Sequence, residues 1–129
     1  MRQIIMLIML SGVGITQASI LDLKITEIMY NPKPDAGQLE EDLEFIEFKN
    51  TGLTEINLKS LVLSNAVLYI FDKDEILAPG GMLVLVSDSN VFHERYPLVK
   101  VAGQYTNKFS NKGEKLYVKA GSDTLIEFE

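Results

Sequence analysis

One run of residues, 42–52, constrains the fold more than any other part of this 129-residue chain. It places large apolar side chains at Leu43, Phe45, Ile46 and Phe48, and it ends at Asn50-Thr51-Gly52. Aromatic and β-branched residues favour a pleated strand, whereas Asn and Gly favour the turn that ends one. Because side chains alternate along a strand, residues 43 and 45 point to one face and residues 46 and 48 to the other. A strand that is apolar on both faces is central or locally bulged, so we predict a central strand in a sheet that packs on a second sheet.

Two carboxylates, Glu44 and Glu47, lie inside this apolar run. A buried carboxylate without partners is costly, so each needs solvent or hydrogen-bond donors. Residues three apart on a strand point to opposite faces, which disfavours a shared acid/base site. We therefore predict a structural role for both, through pairing with Lys or Arg or through backbone donors in a neighbouring loop.

The first 18 residues have the pattern of a secretory signal peptide. Arg2 supplies a positive charge, residues 4–10 are apolar, and Thr16-Gln17-Ala18 offers small residues before a cleavage point. An uncleaved anchor or a buried strand is the alternative, but the apolar run is shorter than the ~20 residues that a membrane span requires. We predict that residues 1–18 are removed, that residues 19–129 form one mature domain without a membrane span, and that it is exported to the periplasm, cell surface or medium.

The composition excludes several functional classes. Cys is absent, which leaves no disulfide framework, thiolate zinc site or cysteine nucleophile. The net charge is −6, and without Arg2 the remaining 11 basic and 18 acidic residues give −7. Nucleic acid and anionic membranes reward clustered Lys and Arg, so neither is expected as a partner.

Short apolar stretches separated by turns recur along the rest of the chain. Pro79 and Gly80 predict a tight turn with positive φ at the glycine. Asp88-Ser89-Asn90 predicts the start of one helix over residues 91–96, which Pro97 ends. This spacing is typical of an antiparallel sandwich of about seven to nine strands. The expected core residues are Ile25, Ile28, Phe45, Ile46, Phe48, Leu58, Leu63, Leu83, Leu85 and Leu116.

Four blocks in order resemble the bacterial lamin tail domain family. They are ITEIMYNP at 25–32, EFIE with NTG at 44–52, LAPGG at 77–81 and FSNKGEKL at 109–116, and the similarity spans about residues 22–129. The resemblance implies an immunoglobulin-like β-sandwich, in agreement with the all-β reading. It also implies a structural motif made of Glu44, Phe45, Glu47, Asn50, Gly52, Pro79, Gly80, Gly81, Asn111, Gly113 and Glu114.

One segment departs from the family pattern. Ser60 and Leu61 stand where many members carry a Gly-Trp pair, which argues against a core centred on Trp but not against the strand. Bacterial members are often one module of larger exported proteins, some with nuclease or other hydrolase domains. The resemblance therefore implies that this chain can be one module of a longer protein.

Candidate catalytic and metal-binding residues are few. His93 is the only histidine, and it follows no nucleophile motif, so a solvated surface side chain is favoured over a base or a ligand. Asp35, Glu40, Glu41 and Asp42 are weak candidates for calcium, which takes six to eight oxygens, but their spacing does not match an EF-hand. Asn50 and Asn111 precede turns and are predicted as turn residues rather than ligand contacts. We predict no catalytic residue and no cofactor.

The function that remains is a non-catalytic, exported β-sandwich that contacts protein or carbohydrate, or that acts as an accessory or spacer module. The alternatives are a calcium-binding extracellular module and the accessory domain of a secreted hydrolase or nuclease. Rigid strands present variable loops, so we expect the contact surface where residues 31–42 and 72–75 form one loop end.

The signal-peptide prediction has a direct test. Mass analysis of the protein from its producing cell is expected to show an N-terminus at Ser19 or a near neighbour, because cleavage follows small residues. Intact Met1 in a soluble cytoplasmic pool would contradict export.

Overall fold

The computed structural model describes residues 20–110 and 112–129. The predicted signal peptide and Asn111 lie outside these residues. Within the described part, no helix has both the length and the apolarity that a membrane crossing requires.

The described residues form ten strands, a 3₁₀ helix at Glu40–Leu43 and an α-helix, α1, at Ser89–Arg95. The strands are β1 Leu23–Met29, β2 Phe45–Asn50, β3 Ile56–Asn57, β4 Leu61–Asn65, β5 Tyr69–Ile70, β6 Ile76–Leu77, β7 Met82–Val86, β8 Val101–Gln104, β9 Leu116–Ala120 and β10 Asp123–Phe128. The number exceeds the seven to nine expected because β3, β5 and β6 are only two residues long.

Two four-stranded sheets make up the sandwich. The first has the order β1-β2-β7-β8, and the second has the order β10-β9-β4-β5, while β3 and β6 pair separately. The first sheet confirms that β2 is a central strand, since β1 and β7 flank it. The fold is therefore the predicted immunoglobulin-like sandwich.

One strand pair differs from the predicted antiparallel arrangement. β8 runs parallel to β7, with Val84 opposite Val101. Parallel neighbours require a crossover that returns the chain to its starting end, and the segment containing α1 provides it. Sequence spacing does not reveal this, because it carries no information about strand direction.

The main core lies between the two sheets. It contains the predicted residues Ile46, Phe48, Leu58, Leu63, Leu83, Leu85 and Leu116, all buried. Ile25 and Ile28 are only partly buried against this core, because β1 is at the edge of its sheet. These two residues are therefore less deeply buried than the sequence analysis predicted.

A second cluster explains why β2 is apolar on both faces. Phe45 points away from the main core and packs with Val84, Val86 and Phe92. The rings of Phe45 and Phe92 meet edge-on, with centroids 5.7 Å apart, a favoured geometry for aromatic pairs. The predicted core residue Phe45 is therefore half-buried beneath α1 rather than between the sheets.

Asp88 is the N-terminal capping residue of helix α1 and sets where the helix begins. The Asp88 carboxylate accepts from the backbone N–H groups of Asn90 and Val91 at 2.9 and 3.0 Å. This cap satisfies two donors that have no partner inside a helix. The helix consequently starts at Ser89, two residues before the predicted boundary.

Asn50 joins the end of β2 to the turn before β7. Its side-chain amide donates to the carbonyl oxygens of Thr54 at 2.7 Å and Leu77 at 3.0 Å, and its Oδ1 accepts from Gly52 N–H at 2.9 Å. Its backbone exchanges hydrogen bonds with Gly80 and Gly81. Gly80 has the predicted positive φ, +72°. Asn50 therefore caps the turn at Gly52, as predicted for a turn residue, and because it is fully buried it also links elements within the fold.

The departure from the family pattern falls on a strained backbone position. Ser60 has φ +74°, in the left-handed region that glycine occupies without penalty. Its N–H donates to Phe71 O at 2.7 Å, which holds the residue in this conformation. The neighbouring Leu61 is buried and fills the position next to it. The sequence difference therefore places backbone strain at residue 60.

The variant Ser60→Gly is expected to raise the free energy of unfolding by roughly 0.5–1 kcal/mol. Relief of the left-handed penalty, about 1–2 kcal/mol, outweighs the ~0.4–1 kcal/mol by which glycine favours the unfolded chain. Urea unfolding measures the difference. Ser64→Gly in β4, where φ is not positive, is the matched control and should destabilise the fold. Equal losses from both variants would contradict strain at Ser60.

Candidate functional site

A buried carboxylate lies where the chain enters β2. Glu44 is only 3% exposed, and its Oε2 accepts from the backbone N–H of Phe109 at 3.1 Å. A backbone donor in a neighbouring loop is one of the two kinds of partner predicted for Glu44. Ser87 directly follows β7, and its hydroxyl lies within hydrogen-bond distance of two carbonyl oxygens, Glu41 O at 2.6 Å and Glu44 O at 3.2 Å. Ser87 therefore joins the end of β7 to the 3₁₀ helix.

Tyr105 completes this polar cluster. Its side chain is buried, and its hydroxyl makes no hydrogen bond within residues 20–110 and 112–129. Burial raises its pKa, and the nearby Glu44 carboxylate raises it further. The tyrosine therefore stays neutral. Sequence reasoning missed Tyr105 because the chain places it 61 residues from Glu44 and no motif joins them.

Burial also sets the protonation of Glu44. Loss of hydration raises the pKa of this carboxyl from 4.5 to about 7, and the hydrogen bond from Phe109 and the positive charge of Lys108 oppose the shift. Desolvation disfavours the charged form, and donors favour it. Because burial is the larger effect, Glu44 changes charge near neutral pH.

Two of the four acidic residues considered for calcium, Glu41 and Asp42, form ion pairs with a lysine. Lys108 Nζ lies 2.9 Å from Glu41 Oε1 and 3.0 Å from Asp42 Oδ1. These contacts tie the 3₁₀ helix to the loop that carries Phe109. Asp35 and Glu40 are exposed and do not join them. Within the described ranges, no group of three or more His, Asp or Glu side chains is arranged to hold a metal ion.

A groove of about 280 Å³ opens at this end of the sandwich. Its apolar walls are Ile28, Tyr30, Phe109 and Phe128, and its rim carries Ser110, Glu114 and Glu129. Tyr30 and Phe128 are 55% and 47% exposed. Exposed aromatic side chains grouped in a concave surface are typical of binding sites, whereas scattered ones are not. Of the family-motif residues, Gly113 and Glu114 lie here.

The predicted contact surface is wrong in one respect. Residues 41 and 42 lie beside Lys108, at the end where β2 begins. Residues 72–75 lie near the other end, since Asp74 accepts from Asn57 Nδ2, and β3 pairs with β6 beside Asn50. The six residues of β2 span roughly 17 Å. The two loops therefore do not form one surface, because the strands between them carry the chain across the sandwich.

The remaining sequence candidates are spread over the fold. His93 is exposed on α1, next to the Phe92 ring at 6.3 Å between centroids. Glu47 accepts from Thr26 Oγ1 at 2.6 Å on the outer face of β2. Glu47 therefore has a side-chain hydroxyl as its donor, instead of the Lys, Arg or backbone donor that the sequence analysis predicted. A Cβ at Gly52 would collide with the Asp22 side chain, which explains the glycine.

Comparisons with known proteins give one match. The model of the family described as Lamin Tail Domain matches residues 16–127. No curated protein and no solved structure matches the chain.

Protonation of Glu44 is expected to make stability depend on pH. The pKa of Glu44 is raised in the folded state, so the folded state binds this proton more tightly than the unfolded chain does. The stabilisation of the folded state by this proton is fully present below pH 4.5 and is lost as the pH rises through about 7. Between pH 5 and 8 the free energy of unfolding should fall by on the order of 2–3 kcal/mol more in the wild type than in Glu44→Gln. The glutamine keeps an acceptor for Phe109 N–H but cannot ionise.

Urea unfolding at a series of pH values measures this difference. Glu40→Gln is the matched control, since Glu40 is an exposed carboxylate in the adjacent 3₁₀ helix. It should keep the wild-type pH dependence. If Glu44→Gln keeps it too, Glu44 is not the titrating group.

Proposed function

The chain belongs to the lamin tail domain family, and from that premise we propose that it is a non-catalytic, exported module that binds protein or carbohydrate through the groove between β1 and β10. The family supports an immunoglobulin-like module. The signal-peptide pattern of residues 1–18 supports export.

The groove is the observation that carries the binding proposal. Three aromatic side chains, Tyr30, Phe109 and Phe128, converge on one concavity whose rim is polar. Binding sites commonly combine an apolar floor with a few polar groups that orient the ligand. Tyr30 and Phe128 keep about half of their surface in solvent and belong to neither core cluster. Burial by a ligand would remove that surface from water, which favours association.

The chemistry of the polar cluster supports a module without catalysis. Burial raises the pKa of Glu44 to about 7, but its carboxylate is covered and is engaged by Phe109. A general base must reach the proton that it removes. The His93 side chain is exposed on α1, and its ring neighbours Phe92 rather than Glu44. These placements favour binding over turnover.

The rigidity of the groove supports the same function. Phe109 is held from behind by Glu44, and its ring packs against Tyr105 with centroids 6.1 Å apart. Lys108, its neighbour, is held by two carboxylates. A wall fixed in this way loses little conformational freedom on binding, which improves affinity.

Tyr30→Ala and Phe128→Ala are expected to reduce binding at least tenfold, because each removes an exposed aromatic wall. The measurement is affinity of the purified protein for ligands recovered from envelope protein fractions and a glycan array. Met82→Ala is the matched control, since Met82 is 54% exposed and lies at the opposite end of the sandwich. It should bind like the wild type.

Equal binding by all three variants would overturn the groove as the binding site. Thermal melting verifies that each variant is folded. Turnover of generic esterase, phosphatase or nuclease substrates by the purified protein would overturn the non-catalytic assignment.

A further inference from the structure

We propose that the groove binds an extended peptide segment of a partner protein, which inserts one apolar side chain, places Lys or Arg beside Glu114 and Glu129, and pairs with the free edge of β1 or β10. This inference rests on the proposed function, because it names the ligand class of the same groove. Of the two ligand classes in that proposal, this inference names protein and not carbohydrate.

The two long sides of the sandwich differ. On one side, β8 and β5 are drawn together: Leu68 and Thr106 exchange backbone hydrogen bonds of 2.9 and 3.0 Å, and Gly103 lies against the Tyr69 ring. On the other side, β1 and β10 each end their sheet. Within residues 20–110 and 112–129 neither of these two strands pairs on its outer side.

The groove lies at this unpaired side. Ile28 of β1 and Phe128 of β10 form two of its walls. The outer edge of a strand presents backbone N–H and C=O groups, which an extended peptide can pair with. A ligand in the groove is therefore adjacent to backbone donors and acceptors on both sides. A sugar would find few donors among the side chains, since those that line the groove offer two carboxylates and only the hydroxyl groups of Ser110 and Tyr30.

Both edge strands carry an irregularity that limits the length of pairing. The register of β1 shifts between Ile25 and Glu27, and that of β10 shifts between Thr124 and Ile126. Such bulges interrupt edge-to-edge association. Of the regular parts on either side of the shifts, residues 27–29 and 126–128 are the ones next to the groove. Pairing is thus confined to about three residues of a partner segment.

The size and charge of the groove define the side chains that fit. About 280 Å³ is below the range of roughly 300–1,000 Å³ for sites that hold drug-sized ligands, so one large apolar side chain with its backbone suits it. Its rim carries Glu114 and Glu129, and no Lys or Arg is among the described residues that line it. Glu114 Oε1 already accepts from Ser110 N–H at 2.7 Å, which positions the carboxylate. A carboxylate has further acceptor sites, so it can also receive a Lys or Arg side chain.

A displayed library of random heptapeptides, selected on the purified protein, tests this assignment. Enriched peptides are expected to carry an apolar residue flanked by Lys or Arg. In a synthetic copy of the strongest peptide, replacing the basic residues with Glu should weaken binding at least tenfold. Proline at a position that pairs with the edge should do the same, because it removes a backbone donor.

Variants of the protein locate the site and the charge contact. Phe128→Ala should weaken the peptide at least tenfold, and Met82→Ala should leave its affinity within twofold. Glu114→Gln keeps an acceptor for Ser110 N–H but removes the charge, so it should weaken binding several-fold and reduce its salt dependence. Amide exchange in the complex should slow at residues of β1 or β10.

Failure can be assigned to one proposal or the other. If the selection enriches no peptide, or only peptides without basic residues, the peptide assignment is wrong. If a glycan binds instead and Phe128→Ala abolishes that binding, the groove stands as a binding site and only the ligand class is overturned. If Phe128→Ala changes the affinity for no peptide and no glycan, both the peptide assignment and the proposed binding function are wrong.

Discussion

The burial of β2 on both faces is the constraint on which the rest of the structure depends. Ile46 and Phe48 fill the space between the sheets, which leaves Phe45 on the outer face in need of cover. Helix α1 supplies that cover through Phe92. Because α1 lies within the connection from β7, the chain returns to the same end of the sheet and adds β8 in parallel. One doubly apolar strand thus accounts for the helix and for the exception to antiparallel pairing.

The residue just before the same strand brings a carboxylate into the interior. Glu44 immediately precedes β2 and cannot move away without displacing Phe45 from its cluster. Its carboxylate holds the Phe109 amide, and Phe109 is a wall of the groove. Protonation removes the charge that strengthens this hydrogen bond. The hydrogen bond between Glu44 and Phe109 therefore links the protonation of a buried carboxylate to the position of a groove wall.

Features set by local chemistry were accessible from the sequence. The turn at Gly80, the cap at Asp88 and the apolar pattern of β2 each depend on residues within a few positions of one another. The direction of β8, the Tyr105 contact with Glu44 and the groove depend on elements that meet only after folding. Ser60 is intermediate: a family glycine at that position indicates positive φ, whereas the Ser60-Leu61 pair by itself predicts only that the core is not centred on Trp. The loop prediction failed because composition does not show at which end of a sandwich a loop lies.

The order of pairing in the second sheet has a consequence for how the domain forms. β4 pairs with β9, and Asn65 hydrogen-bonds to Lys115 across 50 residues of chain. Closing so long a loop costs entropy before any contact is made, which slows folding. The second sheet is incomplete until β9 and β10 are available, so a nascent chain that ends before residue 116 has only β4 and β5 of that sheet to cover the first sheet. Folding of this domain therefore follows synthesis of its last two strands.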